Sequence, residues 1–158
     1  MNHKKCQPHV RNQVQVGSFS ILASSFYAPS EAFKNNPPVA ALFLDDRWSE
    51  RIGDAFPASA SIKIYHWPDF GAVEVNELSG LVEWITKQLE EGKTVDVGCL
   101  GGHGRTGAIL AATVVRLEGL SGADAVAAVR QRYCEEAVEG DKQVHMLSEY
   151  ARSLGQEG

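Results

Sequence analysis

Eleven consecutive residues, Val97-Gly98-Cys99-Leu100-Gly101-Gly102-His103-Gly104-Arg105-Thr106-Gly107, limit what this chain can fold into more than any other stretch. A cysteine and an arginine stand six positions apart with three glycines between them, and an apolar run follows at once. Spacing alone is weak, since an Arg at that offset from one of three cysteines arises by chance about one time in seven. The context carries the argument. Lys93 to Gly98 reads as a short buried strand, and Ile109 to Leu117 as a helix that is apolar almost all round. A glycine-rich turn from a strand into a buried helix directs backbone N–H groups, and the positive end of the helix, at one point. Such a turn is an anion cradle.

Cys99 at the mouth of the cradle feels the same field, which favours a thiolate and hence a nucleophile. Arg105 offers a planar fork that matches two oxygens of a phosphate, and the Thr106 hydroxyl could donate to the sulfur. The bland alternative is a cysteine packed into a turn. Packing, however, calls for neither three glycines nor an arginine.

The rest of the chain supplies a frame of alternating strands and helices. Val14–Val16 and Phe19–Ala23 read as a hairpin broken at Gly17-Ser18, followed by a short helix opened at Pro29-Ser30-Glu31 and ended by Asn35-Asn36-Pro37-Pro38. Val39–Leu44 is an apolar run suited to a buried parallel strand, and Ile62–His66 reads as the next strand. Glu74–Glu91 is the clearest helix: Leu78, Leu81, Val82, Ile85 and Leu89 share a face, Asn76 can cap the start, and Gly92 follows the end. Ser121 with Asp124 resembles a capping box for a helix to about Tyr133, and Asp141 can cap a last helix with Val144, Leu147, Tyr150, Ala151 and Leu154 inward. The expected fold is α/β: a single domain over residues 13–155 with a central, mainly parallel twisted sheet and helices on both faces. Ligands in such sheets bind beyond the carboxyl ends of the strands, where the anion loop falls.

At 158 residues the chain suits one domain. A net charge of −5 argues against a nucleic-acid surface. No apolar run approaches the length of a membrane span, and the polar, basic N-terminus lacks the apolar core of a signal peptide. Three cysteines, one proposed as a reactive thiolate, fit a reducing compartment, so the expected location is the cytoplasm. Residues 1–12 read as a loose lead-in. His3, Cys6 and His9 lie there at even spacing, which could hold a metal, but a fourth ligand is missing from the segment.

Cys99 to Arg105, with Thr106 and Gly107, resembles the signature loop of the protein tyrosine phosphatase superfamily. Upstream, Trp67-Pro68-Asp69-Phe70-Gly71 resembles the mobile acid loop of its tyrosine-specific members, in the family order and about thirty residues away. The resemblance implies a phosphatase that needs no metal or other cofactor. Cys99 would attack to form a phosphocysteine intermediate, and Asp69 would serve first as acid, then as base. Arg105 and the loop from Leu100 through Gly101, Gly102, His103 and Gly104 to Arg105 would hold the phosphoryl group. A carboxylic acid on a closing loop suits a phenolate leaving group, Pro68 stiffens the backbone beside it and Gly71 would allow a hinge.

The sequence departs from the family at several points. The residue before the nucleophile is usually His, and here it is Gly98. His103 could be a partial substitute, a basic contact to substrate or a surface residue. Asp96 is unexpected in a strand that should be buried. The family often places a Gln in a later loop to orient the hydrolytic water; Gln143 stands in that region and Glu139 competes with it. The compact length resembles dual-specificity phosphatases, whereas the Trp-Pro-Asp-Phe-Gly loop points to phosphotyrosine. The expected partner is therefore a phosphorylated protein or peptide. Phosphoinositide phosphatases of the superfamily carry two basic residues within the loop, where this chain has Leu100 and His103. An RNA 5′-phosphatase or a non-catalytic phosphate-binding module are the remaining alternatives.

Overall fold

The computed structural model describes residues 6–53 and 56–156. Five strands form one sheet: β1 (Asn12–Val16), β2 (Phe19–Ser25), β3 (Ala40–Phe43), β4 (Ser61–Ile64) and β5 (Val95–Cys99). Their order is β1-β2-β5-β3-β4; only the β1–β2 hairpin is antiparallel. β5 is the central strand, buried along its whole length, which is why its sequence shows no alternation. It runs parallel to β2 and β3, so its carboxyl end opens between theirs.

Successive side chains of β3 and β5 divide two apolar layers. Ala40, Leu42, Val95, Val97 and Cys99 join a large core with helices α2 (Val75–Glu90), α3 (Gly104–Glu118), α4 (Gly122–Arg132) and α5 (Gly140–Ser153). Ala41 and Phe43 face a smaller aromatic cluster with Phe33 of the short helix α1 (Glu31–Lys34), Trp48 and Phe56. Helices thus lie on both faces, the four long ones together and the short one opposite. Among the described residues no helix is long and apolar enough to cross a membrane.

Element ends follow their local chemistry, with some shifts. Ser121 caps α4 by accepting from the Asp124 N–H, and Gly119 ends α3 with φ +70, as the sequence suggests. The start of α2 falls on Glu74, placing Asn76 inside the first turn, and α5 begins after Glu139, with Asp141 inside it. Leu154 lies beyond α5 and is exposed, while Gln143 and Met146 take buried positions on that helix. A 3₁₀ helix at Asp46–Arg51 carries Trp48 and has no counterpart in the apolar periodicity, because six residues are too few to show a repeat.

The described part of the lead-in is packed. Ser25 N–H donates to the His9 carbonyl (2.8 Å), Arg11 N–H donates to Ser24 Oγ (3.0 Å), and His9 is buried. Arg11 also explains Asp96. Its guanidinium grips the fully buried Asp96 carboxylate with two bonds, Nε to Oδ2 at 2.8 Å and Nη2 to Oδ1 at 2.9 Å. The acid in the central strand is one half of a fork-to-fork ion pair whose partner lies far away in sequence.

Candidate active site

The strand end comes first. Cys99 is the last residue of β5 and is 3% exposed. Its carbonyl accepts from the Trp48 indole N–H (3.0 Å) and from Phe26 N–H (3.0 Å), so the aromatic layer and the β2 exit fix the backbone under the sulfur. Gly98 belongs to this arrangement. A Cβ there would lie 2.9 Å from Trp48 Cζ2 and 2.9 Å from the Ser24 carbonyl oxygen, closer than packed atoms sit. Trp48, stacked on Phe43 at 3.8 Å, fills the space that a side chain at position 98 would need. The residue in place of the family's usual His is therefore a packing requirement of this chain's aromatic layer.

The loop then crosses to α3. Gly102 has φ +80, a conformation L side chains rarely adopt, and its carbonyl accepts from the Tyr133 hydroxyl. Arg105 and Thr106 lie in the first turn of α3, where backbone N–H groups have no acceptor within the helix. Arg105 is 4% exposed. Its Nη1 donates to the carbonyls of Leu44 (3.1 Å) and Trp67 (2.9 Å), and its Nη2 donates to Asp45 Oδ2 (3.2 Å). Those bonds take one flank of the guanidinium. The Asp69 carboxylate stands 3.6 Å from Nε. The Thr106 hydroxyl is buried and makes no hydrogen bond among the described residues.

Asp69 follows β4 on a tight turn. Gly71 N–H donates to the Pro68 carbonyl (2.9 Å), and the buried Trp67 indole donates to the Gly71 carbonyl (2.8 Å). The left-handed residue of this turn is Phe70 (φ +58), so the special backbone geometry falls one position before the expected hinge at Gly71. Asp69 Oδ1 accepts from Phe70 N–H (3.1 Å), while the Phe70 ring stands exposed beside the pocket.

One cavity of about 740 Å³ joins these parts. Asp69, Cys99, Leu100, Gly101, His103, Gly104 and Arg105 all line it; Gly102, Thr106 and Gln143 are buried and do not. The Gln143 amide is engaged at both ends: Nε2 donates to the Gly71 carbonyl (3.1 Å), and Oε1 accepts from Glu139 N–H (2.7 Å). It ties the acid turn to the start of α5.

Three contributors escaped the sequence reading or were underweighted by it. Asp45 holds Arg105, and Trp48 holds Cys99; the signal for both was a pair of acids and an aromatic just past a strand's carboxyl end. Glu139 lines the cavity, and its carboxylate accepts from Gly104 N–H at the head of α3. Burial raises its carboxyl above the ordinary value, helped by the negative charges of Asp69 and Glu136. An internal carboxylate thus occupies part of the cradle that an incoming anion would use. Glu139→Gln should lower KM for a phosphate ester by about fivefold at neutral pH, removing a solvent-screened repulsion of roughly 1 kcal/mol. In the unsubstituted protein KM should climb as pH rises through the Glu139 ionisation, and that climb should vanish in Glu139→Gln. Identical KM–pH profiles for the two proteins would refute the competition.

Comparison with known proteins agrees with this geometry. A family model described as "Polymorphic toxin system, DSP-PTPase phosphatase" matches residues 44–119, the span from just past β3 through the end of α3. An uncharacterized protein of Methanocaldococcus jannaschii, MJ0215, is 30% identical over 154 residues, covering 94% of this chain and 93% of its own. A mutant form of Tk-PTP superposes with a TM-score of 0.70 at 26% identity, over 85% of this chain and 91% of that one. Human DUSP28 shares the fold with a TM-score of 0.73 at 19% identity, over 95% and 99% of the two chains. The chain belongs to the protein tyrosine phosphatase superfamily, as a compact phosphatase of the dual-specificity type.

Proposed function

We propose that this phosphatase hydrolyses phosphotyrosine in phosphorylated proteins or peptides through a phosphocysteine intermediate. The observation that carries the proposal is the meeting of two motifs thirty residues apart around one buried guanidinium: Arg105 Nε lies 3.6 Å from Asp69 Oδ1, and both line the cavity with Cys99.

Cys99 Sγ attacks phosphorus, forming an S–P bond as the P–O bond to the phenol breaks, and Asp69 gives its proton to the departing oxygen. Arg105, prepaid in position by Leu44, Trp67 and Asp45, and the N–H groups of the loop take up the charge on the phosphoryl oxygens. The Thr106 hydroxyl donates to the thiolate when it leaves. Water then attacks phosphorus, Asp69 accepts its proton, the S–P bond breaks, and inorganic phosphate and thiolate separate. Gln143 serves by bracing the acid turn. Orienting the water would require its amide to release either Gly71 or Glu139.

The rim favours a singly phosphorylated aryl ester. Phe70 and Val138 offer apolar surface to a ring, whereas Asp69, Glu136 and Glu139 repel the additional phosphates of a phosphoinositide. The same acidic rim disfavours RNA. A thiolate nucleophile works under reducing conditions, which supports a cytoplasmic location.

The test is a panel of phosphotyrosine peptide, phosphoserine peptide and phosphoinositide, with wild type and Asp69→Ala. Phosphotyrosine should give the highest kcat/KM. Asp69→Ala should lose about 10²–10⁴ in kcat on phenolic esters, and much less on esters whose leaving group needs no proton. A phosphoinositide preferred over the peptides would overturn the substrate assignment. Equal losses on good and poor leaving groups would remove Asp69 as the acid.

A further inference from the structure

The two cysteines that the phosphatase reaction does not use converge, from opposite ends of the chain, on two of its histidines. Cys6 Sγ lies 3.4 Å from His9 Nε2, and Cys134 Sγ lies 3.6 Å from His103 Nδ1. One donor atom from each of these four residues lies within 4.8 Å of all the others. We propose that Cys6, His9, His103 and Cys134 form a tetrahedral Zn²⁺ site that pins the N-terminal segment to the signature loop.

Two of the donor separations match that ion. With Zn–S near 2.3 Å and Zn–N near 2.0–2.1 Å, a tetrahedron places a sulfur and a nitrogen about 3.6 Å apart. The 3.4 Å and 3.6 Å sulfur–nitrogen separations agree with it. Two thiolates with two imidazoles make a closed, soft donor set with no position left for water, the pattern of a structural zinc site.

The far nitrogens of both rings are also provided for. His9 Nδ1 lies 3.2 Å from Asn12 Oδ1, which sets the tautomer that leaves Nε2 free to coordinate. His103 Nε2 faces the Glu136 carboxylate at 3.8 Å, leaving Nδ1 toward Cys134. A carboxylate or amide oxygen behind a ligating imidazole is what orients it and raises its basicity. His9 packs against Tyr133 and edge-on to His103, so the rings are already held together by apolar contact.

The sequence separates these parts widely. Cys6 and His9 form a Cys-x-x-His pair in the lead-in, His103 lies within the loop, and Cys134 follows α4. The even-spaced set of His3, Cys6 and His9 lacked a fourth ligand within its own segment. His3 lies outside the described residues, and His103 and Cys134 complete the set from elsewhere in the fold. The site borders the catalytic cavity without sharing its nucleophile. Cys6, Gln7 and Pro8 wall one side of that cavity, and His103 contributes to its loop. Zinc would therefore fasten the wall to the loop and commit the His103 imidazole to the metal.

The experiment uses the full chain, reduced and stripped of metal by a chelator, then titrated with Co²⁺ and with Zn²⁺. One equivalent of Co²⁺ should bring in the strong visible bands of a tetrahedral ion together with thiolate-to-cobalt charge transfer, and Zn²⁺ should displace them. Zn²⁺ should also raise Tm. Cys6→Ser and Cys134→Ser should each lose the charge-transfer intensity and the Tm shift, and Asn12→Ala should weaken affinity by about tenfold. Cys99→Ser should keep the full cobalt spectrum. Absence of that spectrum in the reduced wild-type chain would overturn the proposal. So would its persistence in the Cys6→Ser, Cys134→Ser double variant, or its loss in Cys99→Ser, which would place the ion on the nucleophile. The readout is spectroscopic and thermal, so it stands or falls separately from the phosphatase assignment.

Discussion

Cys99→Ser is expected to cost about four orders of magnitude or more in kcat on any phosphate ester, while substrate affinity changes by only a few-fold. The split follows from the division of labour in the cavity. In the proposed mechanism binding rests on Arg105 and the backbone of the loop, neither of which depends on the sulfur for its position. Arg105 is anchored by Leu44, Trp67 and Asp45, and the Cys99 backbone by Trp48 and Phe26. A serine keeps all of these bonds. In the proposed mechanism it removes the atom that forms the S–P bond, and a serine hydroxyl, unlike a thiol, stays protonated at neutral pH. Asp69 stands 3.6 Å from Arg105 Nε, and the proposed first step uses it as an acid. The variant should therefore hold a phosphotyrosine peptide in a stable complex, measurable by calorimetry. Wild type quenched in acid during turnover should carry one acid-stable phosphoryl group that is absent from Cys99→Ser. Residual turnover within tenfold of wild type would rule out the covalent route.

The parts of this site that were legible in the sequence are those whose chemistry is local. A strand, a glycine-rich turn and a helix start are contiguous, so the sequence alone puts Cys99 and Arg105 in one cradle. The acid turn was legible for a similar reason, as Trp67 to Gly71 is a compact unit closed by its own hydrogen bonds. The supporting groups were not. Asp45 reaches Arg105 from sixty positions away, and Trp48 fills the space above Gly98 from a short 3₁₀ helix that leaves no periodic trace. Glu139 reads as a competitor of Gln143 for the hydrolytic water; only the close approach of α5 to α3 sets its carboxylate on Gly104. The sheet's face assignments were hidden for a different reason. β3 and β5 are buried on both sides, so nothing in their composition tells which residues meet the long helices and which the aromatic cluster. Asp96 was the visible anomaly in that run, and its explanation lay in the segment that looked least structured.

That pairing gives the largest expected effect on stability. Arg11 binds the Asp96 carboxylate through two parallel bonds, donates Nη1 to the carbonyls of Ala32 (3.0 Å) and Asn36 (2.6 Å), and lies over the Phe33 ring at 5.0 Å. These contacts also hold Arg11 at φ +48, a left-handed conformation that a non-glycine residue does not take without compensation. Removing the arginine leaves an unpaired carboxylate fully buried in the central strand. Arg11→Met should therefore destabilise the fold by about 3–5 kcal/mol at neutral pH, read from urea unfolding. Arg11→Met with Asp96→Val should recover most of that loss, since a β-branched residue suits a buried parallel strand and no charge remains to solvate. The pH dependence carries a definite sign. Burial raises the Asp96 carboxyl above its unfolded value even with Arg11 pulling it down, so its contribution is most favourable at low pH and declines as pH rises through the folded ionisation. Without Arg11 the downward pull is gone and the folded ionisation moves higher still. The destabilisation of Arg11→Met relative to wild type should accordingly shrink as pH is lowered, because Asp96 then enters the core protonated. A deficit that grew toward acid pH, or a double variant as unstable as the single one, would show that the lost stability lay in the contacts of Arg11 with Ala32, Asn36 and Phe33 rather than in the charge it neutralises.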